Sequence, residues 1–243
     1  MGLTKQELNE IAERYHGKNP MGDKFIEDLA QQYTYDWVFQ QMKGCHSVME
    51  LGYGEGNFTG ALVERGFLPT VLDGSDILLN TAKEIHGDKI IAKCGLFEEF
   101  VPEQKYDCVL ATHVLEHVDE PVTLLRHMKK WLTSEGKIII IVPNKESIHR
   151  QLAVLMGLQS ALDTLGERDK LVGHQRVYSL STLEEDVVAA DLAVGATAGF
   201  FLKTLPNSMM LDFSPELMAA LNGIAPDIPK HLLANIGMVC SLR

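Results

Sequence analysis

Cysteine is scarce and scattered: Cys45, Cys94, Cys108 and Cys240 form no C-x-x-C pair. That excludes a redox dithiol or a cysteine-built zinc knuckle, and it predicts reduced thiols in a cytoplasmic protein. Long apolar runs are also missing. The longest aliphatic stretch, Ile138 to Val142, is far too short to cross a bilayer, and the amphipathic opening MGLTKQELNEIAERY reads as neither a targeting segment nor an anchor. Positive charge is in deficit, with 22 Lys and Arg against 33 Asp and Glu for a net charge of −11. A field of that sign argues against nucleic acid as a partner and leaves a small-molecule ligand as the better expectation. There is no internal repeat and no low-complexity linker, so 243 residues at 46% hydrophobic content read as a single domain over 1–243.

What is present is periodicity. Thr4-x-x-Glu7 forms a capping box, Leu3 and Leu8 sit as a hydrophobic staple, and Leu8, Ile11, Ala12 and Tyr15 recur at helical spacing. With a second helical stretch from Asp23 to Gln41, residues 1–41 read as an N-terminal helical cap. Short β-branched runs follow at Ser47 to Leu51, Thr70 to Leu72, Lys89 to Lys93, Cys108 to Thr112 and Lys137 to Val142, separated by helix-length segments. Two later candidates, Val194 to Lys203 and Asn235 to Leu242, flank a helix with Ser214 as N-cap and Pro215 at its first position. Strands alternating with helices predict an α/β fold: a doubly wound, seven-stranded, mostly parallel sheet closed by a C-terminal antiparallel hairpin, with its ligand beyond the carboxyl ends of the strands. Between 144 and 180 the pattern becomes short helical pieces broken by Gly157, Gly166 and Gly173, read as a helical insertion over the active site.

The first strand runs into VMELGYGEGNFTG, an E-x-G-x-G-x-G loop built on Glu50, Gly52, Gly54 and Gly56. A dinucleotide fingerprint needs a third glycine where Asn57 stands, and Glu50 and Glu55 would repel a pyrophosphate. A cationic nucleoside suits the loop better. Here the residues resemble the class I S-adenosylmethionine-dependent methyltransferases, over roughly Phe25 to Lys203. The resemblance implies a Rossmann-like fold, S-adenosyl-L-methionine as cofactor and S-adenosyl-L-homocysteine as product. It also implies cofactor contacts from Glu50, Gly52, Tyr53, Gly54, Gly56, Asp73, Gly74, Leu96, Phe97 and His113. Asp73 ends the second strand in VLDGSD, where this family holds both ribose hydroxyls on an acid; a plain turn residue before Gly74 is the competing reading. Where the family usually places an acid for the adenine amino group, this chain has Gly95-Leu96-Phe97, leaving that contact to backbone groups and to stacking on Phe97, unless Phe97 only packs the core.

Methyl transfer needs positioning and, for oxygen or nitrogen acceptors, a base. The segment LATHVLEHVDEPVTLLRHMKKWL resembles the family's VLEHV stretch and offers His113, Glu116 and His117 at a spacing that shares one face if helical. H-x-x-E-H also spells a metalloprotease motif, which a loop beside a nucleoside site does not support. It further resembles the E-x-x-E-H of methyltransferases acting on a ribose 2′-hydroxyl. By that resemblance His113, Glu116, His117 and the distant His174 would hold a divalent metal, although helix capping by the Glu-His pair is the favoured reading. In GHQRVYS, His174, Arg176 and Tyr178 alternate in extended chain ahead of a helix starting Ser181-Thr182-Leu183-Glu184, and point to one side as base, anion clamp and phenol for the acceptor. His149 and Arg150 are further candidates, with a surface helix as the preferred alternative. The function these readings predict is methyl transfer to oxygen or nitrogen of a small or medium-sized acceptor, Arg176 favouring a carboxylate or phosphate on it. The alternatives are metal-assisted sugar O-methylation and a catalytically silent cofactor-binding sensor or partner subunit.

Overall fold

The computed structural model describes residues 3–14, 16, 18 and 21–243. Tyr15, assigned above to the first helix, lies outside the described residues. Helix α1 (Lys5–Arg14) starts on the expected capping box, with the Glu7 amide donating to Thr4 Oγ1 at 3.3 Å and the Thr4 amide to Glu7 Oε2 at 2.8 Å. After α2 (Lys24–Gln41) the chain alternates through β1 (Val48–Leu51), α3 (Asn57–Glu64), β2 (Thr70–Asp73), α4 (Asp76–His86), β3 (Ile91–Cys94), β4 (Tyr106–Thr112), α5 (Pro121–Lys129) and β5 (Leu132–Pro143). Then come α6 (Ile148–Leu155), α7 (Glu167–Leu171), α8 (Leu180–Ala189), β6 (Leu192–Phe200), α9 (Pro215–Ile224) and β7 (Asn235–Leu242).

The seven strands lie in the order β3-β2-β1-β4-β5-β7-β6. Strands β1 to β5 pair in parallel, and β7 enters antiparallel to both β5 and β6. The predicted closing pair is therefore present with the expected helix, α9, between its strands, and β7 wedges between β6 and the parallel sheet. Alternate residues of β5 bury opposite faces: Ile138, Ile140 and Val142 pack with Leu124, Leu125, Leu183 and Val187, while Ile139 and Ile141 pack with Val38, Phe58 and Leu62. Covering both faces is what makes Ile138–Val142 an unbroken apolar run rather than an alternating one. Strand order reverses between β1 and β4, so their diverging loops leave a crevice at the carboxyl edge.

Two local expectations are corrected. Helix α8 starts at Leu180, capped by Ser179 with Thr182 in a reciprocal box, one residue ahead of the predicted Ser181 start. Residues 113–117 form a turn rather than a helix, and α5 begins only at Pro121, where fixed φ and a missing N–H suit a first helical position.

Candidate active site

At the carboxyl edge lies a cavity of about 390 Å³, a size suited to a small ligand. One end is the glycine loop. Gly52, Gly54 and Gly56 have φ of +79°, +54° and +76°, the left-handed region closed to most side-chain-bearing residues. Gly52 and Gly54 line the cavity, whereas Gly56 does not; it begins α3, and a Cβ there would strike the Tyr53 ring. Asn57, which breaks the dinucleotide spacing, donates from Nδ2 to Asp28 Oδ1 at 2.8 Å.

Asp73 ties two loops together: Oδ2 accepts from the Tyr53 amide at 2.8 Å and Oδ1 from the Ser75 amide at 2.7 Å. Each carboxylate oxygen keeps a second lone pair, and Asp73 borders the cavity. Glu50, at the base of the loop and 1% exposed, accepts from Thr59 Oγ1 at 2.6 Å. Burial pushes its carboxyl up to about 8, with the charge of Asp73 adding to the effect against the Thr59 hydrogen bond. Glu55 receives His16 at 3.0 Å and Lys24 at 3.7 Å. Leu96 and Phe97 line the same end, and Leu3, Leu8 and Ile11 of the α1 region border it from above.

Beyond β4 the backbone turns at His113, which has φ +56° and donates its amide to the Ile141 carbonyl at 2.8 Å. His113 Nδ1 meets Glu116 Oε1 at 3.1 Å. Burial opposes charge on this imidazole, but the hydrogen bond and charge of Glu116 outweigh it and the His113 pKa is raised. Burial likewise opposes ionisation of Glu116, and His113 outweighs it, so the Glu116 carboxyl is lowered. The Glu116 side chain is fully buried and its Oε2 has no hydrogen-bond partner among the described residues. It makes no helix cap: the residue before α5 is Glu120, and the favoured capping reading of the Glu-His pair is overturned.

Residues 174–178 run alongside this turn, the Gln175 amide donating to the Glu116 carbonyl at 2.8 Å. The predicted one-sided trio is divided. His174 lines the cavity and lies edge-on to His117 at 4.6 Å between ring centroids. Arg176 instead wraps the outside of the turn, donating to the carbonyls of Leu115 at 3.0 Å, Asp119 at 2.9 Å and Val118. Tyr178 is 3% exposed and donates to Asp186 at 2.9 Å, and neither Arg176 nor Tyr178 borders the cavity. Strand-like alternation failed here because carbonyls of an irregular turn, unsatisfied by any helix, took the guanidinium. His174 Nδ1 contacts Asp169 Oδ1 at 2.8 Å, and Arg150 Nη2 holds the other oxygen of Asp169 at 2.9 Å. Ligand atoms of Glu116, His117 and His174 lie within 4.8 Å of one another, and burial lowers His117 to about 4, keeping it neutral near pH 7.

His149 and Arg150, read above as a surface helix, border the cavity instead, as do Phe201, Lys203 and Asn235, which no motif marked. The only sequence signal for Lys203 was a charged residue closing the apolar strand GFFLK. No helix is long and apolar enough to cross a membrane among the described residues.

Comparison with known proteins accords with this geometry. Residues 6–196 match the family model described as "Methyltransferase domain". The chain is 29% identical to the ubiquinone biosynthesis O-methyltransferase of Coxiella burnetii over 135 residues, 54% of this chain and 53% of that protein, so it spans about half the length of that relative. It is 29% identical to the enzyme of the same name from Idiomarina loihiensis over 197 residues, 78% of this chain and 75% of that one. Among solved structures, a Haloferax volcanii protein in complex with a methyltransferase activator aligns at TM-score 0.65 and 15% identity, covering 96% of both chains. The plantazolicin methyltransferase BpumL, solved with SAH, aligns at TM-score 0.57 and 18% identity over 96% of this chain and 90% of its own.

Proposed function

Since the chain belongs to the methyltransferase-domain family, we propose that it is an S-adenosylmethionine-dependent methyltransferase acting on an oxygen or nitrogen of a small or medium-sized acceptor. The single observation that carries this is Asp73 beside the glycine loop: a carboxylate fixed by two backbone amides, with lone pairs to spare, in the lining of the cavity at the carboxyl edge. The surroundings fit such a ligand. Left-handed glycines keep side chains out of the cradle, Glu55 and Asp73 suit a cationic ligand, and Leu96 and Phe97 offer apolar cover for a base. When bound, the cofactor supplies a methyl group on a positively charged sulfur, open to in-line attack.

The chain's own part is to orient the acceptor, exclude water and take a proton. His113 is the base, since Glu116 holds its Nδ1 and leaves Nε2 to accept from the acceptor. Glu116 positions the ring and fixes its tautomer. Helix α1 and the 144–180 segment close over the site, and S-adenosylhomocysteine leaves as product. Replacing Asp73 by Asn tests the cofactor assignment. Calorimetry should give a loss of about 1.5 to 3 kcal/mol in S-adenosylhomocysteine binding, the range for a hydrogen bond to a charged group; an unchanged affinity makes Asp73 a turn residue.

A second reading, metal-assisted O-methylation, rests on the orphaned Glu116 Oε2 beside His117 and His174. The Asp169–His174 contact has the form of a carboxylate orienting a ligating imidazole. In this reading Glu116, His117 and His174 would hold a divalent ion, which would supply Lewis-acid polarisation of an acceptor oxygen. Metal analysis of the purified protein separates the readings: stoichiometric metal lost with His117→Ala supports the ion, and metal-free protein with full turnover leaves His113 as base alone.

A further inference from the structure

Two groups of charged residues line the cavity. Around the glycine loop stand Asp28, Glu50, Glu55 and Asp73, with His16 and Lys24 against Glu55, whereas elsewhere in the lining stand Lys203, Arg168, Arg150 and His149, with Glu27 and Asp169 among them. Most of the basic groups there are already committed. Arg150 holds Asp169 at 2.9 Å, while Arg168 holds Asp23 and lies 3.7 Å from Glu27. Asp23 and Glu27 also accept from Asn207, at 2.7 and 2.5 Å. Lys203 is different: among the described residues its ammonium makes no ion pair or side-chain hydrogen bond.

The backbone is bent to bring it there. Phe201 is fully buried and has φ +64°, an outlying conformation for a bulky residue that persists only where its surroundings impose it. Its carbonyl accepts from both the Lys203 and the Ala234 amides at 2.9 Å, which ends β6 in a tight turn against the start of β7. Next to Lys203, His149 has a buried Nδ1 with no hydrogen-bond partner, and burial together with the charges of Lys203 and Arg150 holds its ring neutral. A cation without a partner beside an imidazole without a partner, in the wall of a ligand cavity, is a receptor for an anion.

We propose, resting on the methyl-transfer reading, that Lys203 with His149 holds an anionic group, carboxylate or phosphate, on the methyl acceptor. This is the role the sequence pattern assigned to Arg176, moved to a residue in the turn that follows β6. The cofactor's own carboxylate is the other anion available, and S-adenosylhomocysteine affinity in the Lys203 variants distinguishes the two. Burial lowers the Lys203 pKa, and Arg168 and Arg150 act the same way against the attraction of Glu27 and Asp23. A bound anion reverses that penalty, so the site gains most from a charged acceptor.

The test uses the full chain saturated with S-adenosylhomocysteine and three probes: benzoate, phenyl phosphate and the neutral benzamide. Binding is followed by thermal shift and calorimetry for the wild type, Lys203→Met and Lys203→Arg. The expected result is stabilisation by benzoate or phenyl phosphate but not by benzamide, a roughly tenfold or greater loss of anion affinity in Lys203→Met, and its recovery in Lys203→Arg. The stronger of the two anions identifies the group. Equal binding of benzoate and benzamide, absence of anion binding, or undiminished anion affinity in Lys203→Met overturns the proposal. Weakened S-adenosylhomocysteine binding in Lys203→Met also overturns it, by assigning the lysine to the cofactor. Failure of the wild type to bind S-adenosylhomocysteine is a separate result that sinks the methyl-transfer reading itself.

Discussion

At His113 a strained backbone and a buried hydrogen bond are combined: φ +56° turns the chain out of β4, and Glu116 fixes which ring nitrogen is left to accept a proton. Glu116→Gln presents an amide that is able to donate to Nδ1 instead, which puts the proton on Nε2 and removes the base. Turnover should fall roughly 10²-fold or more with S-adenosylhomocysteine affinity unchanged; single-turnover rates and calorimetry on the same variant check both halves. Glu50 gives a pH signature. Its folded pKa of about 8 lies above that of the unfolded chain, so its contribution to stability is full below the ordinary carboxylate range and is lost as pH rises through about 8. Glu50→Gln cannot ionise, so the melting temperature of the variant minus that of wild type should grow by roughly several degrees between pH 5 and 8.5; a pH-independent difference contradicts a protonated Glu50.

Among the elements, α1 is held lightly. Of its residues only Ala12 is buried, yet Leu8 packs on Gly74, Asn9 accepts from Ser75 Oγ at 2.6 Å, and Leu3, Leu8 and Ile11 face the cavity. The double substitution Leu8→Ala, Ile11→Ala should weaken S-adenosylhomocysteine binding roughly three- to tenfold through faster release, while the melting temperature moves little. Stopped-flow dissociation rates and a thermal melt measure the two effects. Elements such as these were legible in the sequence where one periodicity acts alone. The five parallel strands, the capping box at Thr4 and Glu7 and the Ser214-Pro215 helix start follow from local pattern, because local chemistry decides them. The glycine loop with Asp73 was legible for the same reason. What escaped was decided by contacts distant in sequence. Arg176 is drawn to the carbonyls of a turn nearly sixty residues earlier, His149 is covered from above, and Lys203 depends on a kink at Phe201 imposed by the start of β7. The H-x-x-E-H spacing brought its side chains together although the helix assumed for it is a turn.

For the molecule as a whole, the net charge of −11 sets the field outside a cavity whose lining carries Asp73 beside the glycine loop and Lys203 away from it. Asp73 matches a cationic nucleoside, and Lys203 gives an otherwise repelling protein a local foothold for an anionic acceptor. Exposed charges are screened within a Debye length of about 8 Å at physiological salt, whereas groups inside the cavity are screened far less. Raising salt should therefore speed association of an anionic acceptor by screening the long-range repulsion while changing cofactor affinity little, which stopped-flow association rates at two ionic strengths will measure.

The most direct measurement of the central claim is a pair of calorimetric titrations of the purified chain, one with S-adenosylhomocysteine and one with NAD. The E-x-G-x-G-x-G loop, the acidic cradle and Asp73 predict stoichiometric binding of S-adenosylhomocysteine at least a hundredfold tighter than NAD, a gap of about 2.7 kcal/mol or more. Equal affinities, or tighter binding of NAD, would contradict the account.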